Sequence, residues 1–177
     1  MSQEAQKVGI FPRTILLATD GSKDAELAIR KAVDLADATD SELHLVYVGQ
    51  LPNFLREDRY TIGFDRMLYN QIERESLEML WRLTWQVKVA GGTVAGAHFR
   101  MGSVAEEIVG LAKDLEADLI VMGNRGHGGL RRAIEGSISD GVVRRTHCPV
   151  MIVPTEKGEE HMGFWRRMFS SGTANSG

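Results

Sequence analysis

The chain has 177 residues, which fits one domain of ordinary size. Apolar residues make up 43% and charged residues 25%, a balance typical of globular rather than disordered or membrane proteins. The formal net charge of −3 gives no indication of a nucleic-acid partner. Residues 1–9 lack an apolar core of signal-peptide length, and no apolar run is long enough to span a bilayer. A single cysteine, Cys148, excludes an internal disulfide, so we expect a reducing, cytoplasmic compartment.

Short apolar runs alternate along the chain with longer segments of helical periodicity. The first run, TILLAT, is apolar without alternation and predicts a strand buried on both faces. The predicted strands are Thr14–Thr19, Leu43–Val48, Thr93–Phe99, Leu119–Met122 and Val150–Val153. The predicted helices are Ser22–Ala38, Asp65–Ala90, Ser103–Leu115 and Ser137–Thr146, with a loop at Leu51–Phe64. Ser22 is a candidate helix cap, Ser103 and Glu106 fit a capping box, and Gly91-Gly92 is a typical helix stop.

The alternation of strands and helices predicts an α/β fold, with an open parallel sheet covered by helices on both faces in the Rossmann-like manner. We expect one domain over residues 14–154, an N-terminal extension over 1–13 and a flexible C-terminal tail over 155–177. Ligands of such sheets bind beyond the carboxyl ends of the strands, where the strand order reverses. Asp20, Gly49 and Gly123 directly follow three of the predicted strands, and Gly102 comes shortly after a fourth.

The fourth predicted strand is followed by glycines in the pattern G-x2-G-x9-G-S, formed by Gly123, Gly126, Gly136 and Ser137. The first two glycines permit a turn whose N–H groups face an anion, and the second cluster opens a predicted helix, whose free N–H groups also favour an anion. Ser137 and Ser139 add hydroxyl donors, and the intervening loop is basic through Arg125, His127, Arg131 and Arg132. On spacing alone an ordinary turn is an equal alternative. The position at the expected ligand edge favours a polyphosphate site.

Four separated motifs carry a resemblance to a known family. They are Ile15–Ser22 (ILLATDGS), Gly102 with Ala105–Val109 (AEEIV), Val121–Ser137 with the glycine pattern, and Cys148–Pro154 (CPVMIVP). Through these motifs the chain resembles the universal stress protein family over about Thr14–Pro154, and the glycine spacing resembles the signature of its ATP-binding branch. Two positions depart from the usual pattern. Gln50 stands where an acidic residue is common, and Val104 stands where a proline is usual.

The resemblance implies ATP as the ligand, with AMP or ADP as alternatives, and a sheet of strand order 3-2-1-4-5. It implies that Asp20 hydrogen-bonds the adenosine beside Ala18 and Thr19, that Val48 meets the adenine and that Met122 packs by the nucleoside. Gly102 would let the end of the third strand approach the site. The residues implied around the phosphates are Gly123, Arg125, Gly126, His127, Gly136, Ser137, Ile138 and Ser139. Magnesium or manganese would accompany the phosphates, although no zinc-type ligand spacing or dedicated metal cage is present in the sequence.

The sequence also predicts contacts with proteins. The resemblance implies a homodimer formed through the last strand, Val150–Val153, whose apolar character would invite pairing at a sheet edge. Trp81 and Trp85 are four residues apart on a predicted helix, a stripe typical of core or interface packing. The segment Phe164–Phe169 (FWRRMF) is too short to favour a membrane contact, and we expect it to fold back on its own dimer or to stay free.

Three functions remain open on the sequence alone. The first is an ATP-binding regulatory module in the stress response, with at most slow ATP hydrolysis. The second is a nucleotide-dependent enzyme, an ATPase or adenylyl transferase, and the third is a nucleotide-free scaffold. The chain has no Walker lysine motif, and only Glu135 and Asp140 supply carboxylates beside the glycine pattern. No catalytic residue is therefore assigned.

Overall fold

The computed structural model describes residues 11–22, 25–49, 62–123 and 138–154, with only the backbone for 62–69. The described strands are β1 (Thr14–Ala18), β2 (Glu42–Gly49), β3 (Gly96–Met101), β4 (Leu119–Gly123) and β5 (Val150–Val153). The described helices are α1 (Glu26–Thr39), α2 (Ile62–Val89), α3 (Val104–Asp114) and α4 (Ile138–Val143).

All five strands are parallel and pair in the order β3-β2-β1-β4-β5, which confirms the predicted fold and strand order. The chain moves from β1 towards β3 in one direction and then returns past β1 to β4 and β5. Since crossovers between parallel strands are right-handed, this reversal puts α1 and α2 on one face and α3 and α4 on the other.

Each face of the sheet has its own hydrophobic core. On the first face, Ile15 and Leu17 of β1 are buried with apolar residues of α1 and with Leu83 and Val87 of α2. On the second face, Leu16 of β1 packs with residues of α3 and α4. Successive residues of β1 thus face opposite cores, which is why its sequence is apolar without alternation.

The starts of two helices differ from prediction. The helix expected from Ser22 begins at Glu26, and its N-cap is Ala25, which makes no side-chain capping bond. Ser22 belongs to the preceding turn, because its N–H donates to Asp20 Oδ1 at 3.0 Å and its carbonyl accepts from Ala25 N. Helix α2 begins at Ile62, so the last residues of the predicted loop are helical.

Three further predictions concern helix ends. Gly91-Gly92 stops α2 as expected, with Gly91 at a φ of +92° and Gly92 N donating to Val87 O at 3.0 Å. The capping box at the start of α3 is wrong. Ser103 occupies the N-cap, but its side chain makes no capping bond and its carbonyl accepts the N–H of Glu107 instead. Helix α4 is shorter than predicted at six residues.

A histidine pair joins β2 to β3 on the face of α3. His44 Nδ1 and His98 Nε2 are 3.1 Å apart, and the rings are stacked. Glu42 Oε2 lies 3.6 Å from the other ring nitrogen of His44. Burial lowers the pKa of His98 below its ordinary 6.5, and the neighbouring His44 and Arg100 lower it further.

This lowered pKa predicts a pH dependence of stability. The unfolded chain binds the His98 proton more tightly than the folded chain, so the contribution of neutral His98 is complete above about pH 7 and is lost as the pH falls through about 6.5. We expect the free energy of unfolding in urea to fall less between pH 7.5 and 5.5 in His98→Gln than in the unsubstituted protein. His147→Gln, at an exposed histidine, is the control and should keep the original pH dependence. An equal fall in all three proteins would contradict the assignment.

Candidate functional site

The strand order reverses between β1 and β4, so their carboxyl ends form the topological switch point. Ala18 pairs with Met122 at this point, and Gly123 follows directly as the last residue of β4. Thr19 extends the other side of β1, where its N–H donates to Val46 O at 3.3 Å. The sequence predicted these neighbours from two segments about a hundred residues apart, and the sheet brings them together.

Buried apolar side chains line the second face of the sheet at this edge. Ala18 and Met122 are buried in one cluster with Ala105 of α3 and Val142 of α4, and Val48 of β2 packs against the same cluster. Three residues predicted for the nucleoside therefore share one surface, although they come from three strands. Ala18 and Met122 are only 7% and 6% exposed, so a ligand at this edge would meet the strand ends and the rim of the cluster rather than its packed interior.

Asp20 stands at the rim of this surface and shapes the turn after β1. Its Oδ1 accepts the hydrogen bond from Ser22 N, while Thr19 Oγ1 accepts from Gly21 N at 3.4 Å. Gly21 has a φ of +75°, and a Cβ there would lie 2.8 Å from Met79 Sδ. The turn role considered for Asp20 is thus present, and it fixes the carboxylate at the carboxyl edge of β1.

Tyr47 is a neighbour of Asp20 that the sequence analysis missed. Burial raises the pKa of the Tyr47 phenol above its ordinary value near 10, and the Asp20 carboxylate raises it further. Glu75 acts in the same direction, whereas Arg82 opposes it. The alternation of side chains along a strand could have indicated its position. Tyr47 directly precedes Val48 in β2, so the two side chains face opposite sides of the sheet. The Tyr47 phenol is therefore neutral at physiological pH, and the charge of the Asp20 carboxylate contributes to the rise of its pKa.

The glycine segment is described only at its two ends. Gly123 pairs with Val153 of β5, and Ile138 and Ser139 open α4. A Cβ on Gly141 of α4 would lie 3.0 Å from Ala105 Cβ, so α4 packs closely on the start of α3. The predicted phosphate residues that lie outside the described residues are Arg125, Gly126, His127, Gly136 and Ser137.

Comparison with known proteins identifies the family. The model of the universal stress protein family matches residues 12–154. The chain belongs to the universal stress protein family. The universal stress protein MJ0531 of Methanocaldococcus jannaschii is 32% identical over 154 residues, which cover 83% of this chain and 85% of that protein.

Solved structures agree with this membership. The hypothetical protein MJ0577, whose structure served to assign its biochemical function, has a TM-score of 0.68 at 26% identity and covers 81% of this chain and 96% of its own. A universal stress protein in complex with cAMP has a TM-score of 0.56 at 25% identity and covers 82% of this chain and 99% of its own.

Two features are absent from the described residues of this universal stress protein domain. Across the part of the chain that the structure describes, no three His, Cys, Asp or Glu side chains group as a metal site. Within the same ranges, no helix is both long and apolar enough to cross a bilayer.

Gly102 closes the site at the end of β3. Its φ is +155°, its N–H donates to Gly49 O at 3.2 Å, and a Cβ there would lie 2.7 Å from Glu107 Oε1. The Glu107 carboxylate in the first turn of α3 is a second neighbour of the site that the sequence analysis did not single out. The close neighbour of Gly102 in the structure is thus the Glu107 side chain of the domain's own helix, and the approach of this strand end to a ligand stays a prediction.

The backbone of Gly102 predicts a specific response to substitution. We expect Gly102→Ala to lower the free energy of unfolding by about 1–3 kcal/mol, because that φ is strained for any residue with a Cβ. Adding Glu107→Ala to Gly102→Ala should not restore the lost stability. The Glu107 carboxylate is flexible and can move away from a new Cβ, whereas the φ at position 102 cannot change. Gly110→Ala, where a Cβ meets nothing within 4 Å, is the matched control and should not destabilise. Urea unfolding measures all three, and full rescue by Glu107→Ala would contradict the account.

Proposed function

We propose that this universal stress protein is a cytoplasmic adenine-nucleotide-binding regulatory module in the stress response, with ATP as its main ligand. One observation carries the proposal. The pairing of Ala18 with Met122 sets Asp20 and the first glycine of the G-x2-G-x9-G-S pattern at one edge of the sheet. The cAMP complex of a relative at 25% identity supports an adenine nucleotide as the class of ligand.

The adenosine half of the ligand is assigned to the described strand ends. In this proposal the base lies against the strand ends, where Val48 contacts it through its backbone, Met122 packs by the nucleoside, and Ala18 and Thr19 line the wall beside Asp20. The Asp20 carboxylate accepts hydrogen bonds from the ribose hydroxyls. Its existing bond from Ser22 N supports this role, because a carboxylate already held by a turn loses little side-chain freedom when a ligand binds.

The phosphate half is assigned to the glycine segment on the basis of its sequence pattern. Backbone N–H groups beside Gly123 and Gly126 and the hydroxyls of Ser137 and Ser139 donate to phosphate oxygens. Arg125 and His127 balance the phosphate charge. Magnesium or manganese is held by the phosphates themselves in this arrangement, because divalent cations of this kind need few protein ligands when phosphates are present.

We further propose that the domain holds ATP and hydrolyses it slowly at most. Hydrolysis needs a base that orients a water at the terminal phosphate. Of the two carboxylates beside the segment in sequence, Asp140 accepts a hydrogen bond from Arg144 Nε at 2.9 Å. This hydrogen bond along α4 supports a structural role for Asp140 rather than a role as the general base of hydrolysis.

Substitutions in the glycine segment test the phosphate assignment. We expect Gly123→Val and Gly136→Val each to weaken ATP binding by about tenfold or more. Each side chain would stand where a charged hydrogen bond of about 1.5–3 kcal/mol forms. Equilibrium dialysis or calorimetry with ATP, AMP and cAMP measures the effect. The loss should be largest for ATP, because AMP makes fewer contacts with the phosphate segment.

Two matched variants complete this series. Gly110→Val, on the open side of α3, should leave the affinity for all three nucleotides unchanged. Asp20→Ala should weaken ATP and AMP equally, because both carry the same two ribose hydroxyls, and should weaken cAMP less, because its 3′-oxygen is esterified and cannot donate. Asp20→Asn keeps an acceptor for Ser22 N and should lose less. Folded Gly123→Val and Gly136→Val variants with unaltered ATP affinity would overturn the assignment.

We also propose that the domain forms a homodimer through β5. This strand lies at the edge of the sheet, and its Met151 and Ile152 are 38% and 41% exposed. An apolar edge strand with free backbone groups is a template for pairing with a second chain.

A charge on that edge tests the dimer. Ile152→Lys should give a monomer by light scattering at micromolar concentration, because pairing would bury the ammonium group. Phe11→Lys places the same charge on another exposed apolar residue and should remain a dimer. A monomeric unsubstituted protein, or a dimeric Ile152→Lys variant, would rule out this interface.

A further inference from the structure

Helix α2 carries an apolar surface that its own domain does not cover. Four of its side chains recur every four residues, and we call them the outer stripe: Leu77 (50% exposed), Trp81 (74%), Trp85 (55%) and Val89 (70%). The stripe was expected to pack in a core or an interface, and its exposure in the monomer excludes the core.

The outer stripe points directly away from the sheet. The buried side chains of the same part of α2 are Ser76, Leu80, Leu83 and Val87. At about 100° per residue, these four centre on the side of the helix opposite Trp81 and Trp85. The helix therefore has two apolar faces, and only one of them contacts β2 and β3. A surface helix normally needs only the inner face, so the second face requires its own explanation.

The exposed area is large enough to indicate a contact. A tryptophan contributes up to about 250 Å². Trp81 and Trp85 at their observed exposures therefore leave roughly 150 Å² each in water. With Leu77 and Val89 the patch reaches the few hundred square ångströms that mark interaction sites on monomers.

Charges of both signs border the outer stripe. Glu73 and Glu78 are exposed next to it, one turn before Leu77 and three residues before Trp81. Counting only partners among the described residues, neither carboxylate forms an ion pair. Arg74, Arg82 and Lys88 are also exposed on this helix, and Lys88 Nζ lies 6.0 Å from the centroid of the Trp85 ring. The apolar side chains therefore set the main requirement for an occupant, which is aromatic or aliphatic surface, and Glu73 and Glu78 are the positions at which its cationic groups would pair.

The chain contains one segment with this chemistry after its last strand. Phe164–Phe169 has the sequence FWRRMF, in which four apolar side chains flank Arg166 and Arg167. It follows Pro154 after a linker of nine residues, 155–163, which spans up to about 30 Å when extended. From β5 to β2 there are three strand steps of about 4.8 Å, and a helix layer is about 10 Å thick. The linker is therefore long enough to reach α2.

We propose that the segment Phe164–Phe169 docks on the outer stripe of its own chain. Its aromatic side chains cover Trp81 and Trp85, and its two arginines pair with Glu73 and Glu78. Docking would connect the C-terminal tail to α2, which also contributes Met79 beside the turn at Gly21. The proposal does not depend on nucleotide binding or on pairing of β5.

Hydrogen exchange of the full chain, measured by mass spectrometry, tests the docking. We expect amides of 164–169 to exchange about tenfold more slowly than those of a free peptide of the same sequence. The double variant Trp81→Gln/Trp85→Gln should remove this protection. Phe11→Gln removes an exposed aromatic side chain elsewhere and should leave the protection intact.

The reciprocal measurement follows the stripe. Hydroxyl-radical oxidation of Trp81 and Trp85 should become several-fold faster in Trp165→Ala and stay unchanged in Ser170→Ala, which lies just outside the segment. Arg166→Gln/Arg167→Gln should give a smaller increase, and high salt should reduce its difference from the unsubstituted protein.

Three results would overturn the proposal. The first is free-peptide exchange of 164–169 in the unsubstituted protein. The second is protection that is lost when the protein is diluted from 50 to 1 micromolar, which would mean that a second copy of the chain covers the stripe. Ile152→Lys is measured in the same dilution series, so that loss of β5 pairing is not mistaken for this result. The third is protection of Trp81 and Trp85 that arises only with anionic lipid vesicles, which would assign the stripe to a membrane.

Discussion

The parallel pairing of β1 with β4 is the constraint on which the rest of this structure depends. It joins two strands whose crossovers leave in opposite directions, so α1 and α3 lie on opposite faces of the sheet. A gap for a ligand opens where the two crossovers diverge. The pairing ends at Ala18 and Met122, which places the turn after β1 and the glycine segment after β4 at the same edge.

The site combines a buried apolar surface with a polar rim, and the two parts have different origins. The surface belongs to the second hydrophobic core and is fixed by packing of β1, β2 and β4 on α3 and α4. The rim is fixed by local hydrogen bonds, such as that from Ser22 N to Asp20. Core packing therefore fixes the positions of the strand ends at this edge, and turn geometry fixes the Asp20 carboxylate beside them. Nothing in this combination requires the ligand to react.

Much of the fold could be predicted because strands and helices are each indicated by a pattern that extends over several consecutive residues. The five strands are apolar runs separated by periodic helices, and the motifs around Asp20, Gly123 and Pro149 carried the resemblance that gave the strand order. Helix starts were less predictable, because a residue that can cap a helix can also form hydrogen bonds within the preceding turn. Ser22 was predicted to cap α1, but it bonds to Asp20 within the preceding turn. Ser103 had the backbone of an N-cap while its side chain made no capping bond.

The parts of the site that sequence could not supply are those set by neighbours across the sheet. Tyr47 and Glu107 approach Asp20 and Gly102 through pairings and helix packing that the local pattern does not contain. The exposure of Trp81 and Trp85 was likewise undecided by spacing. A four-residue apolar repeat fits either face of α2, and the direction of that repeat depends on which side packs on β2 and β3.

We propose that the edge between β1 and β4 holds ATP without rapidly cleaving it. The most direct measurement is a single-turnover experiment, in which excess full-length protein is mixed with labelled ATP and magnesium, and the bound nucleotide is identified after denaturation. We expect the label to stay with the protein and to be recovered as ATP, with turnover well below about one per second. Label that does not bind, or that is recovered as ADP or AMP within seconds, would contradict it.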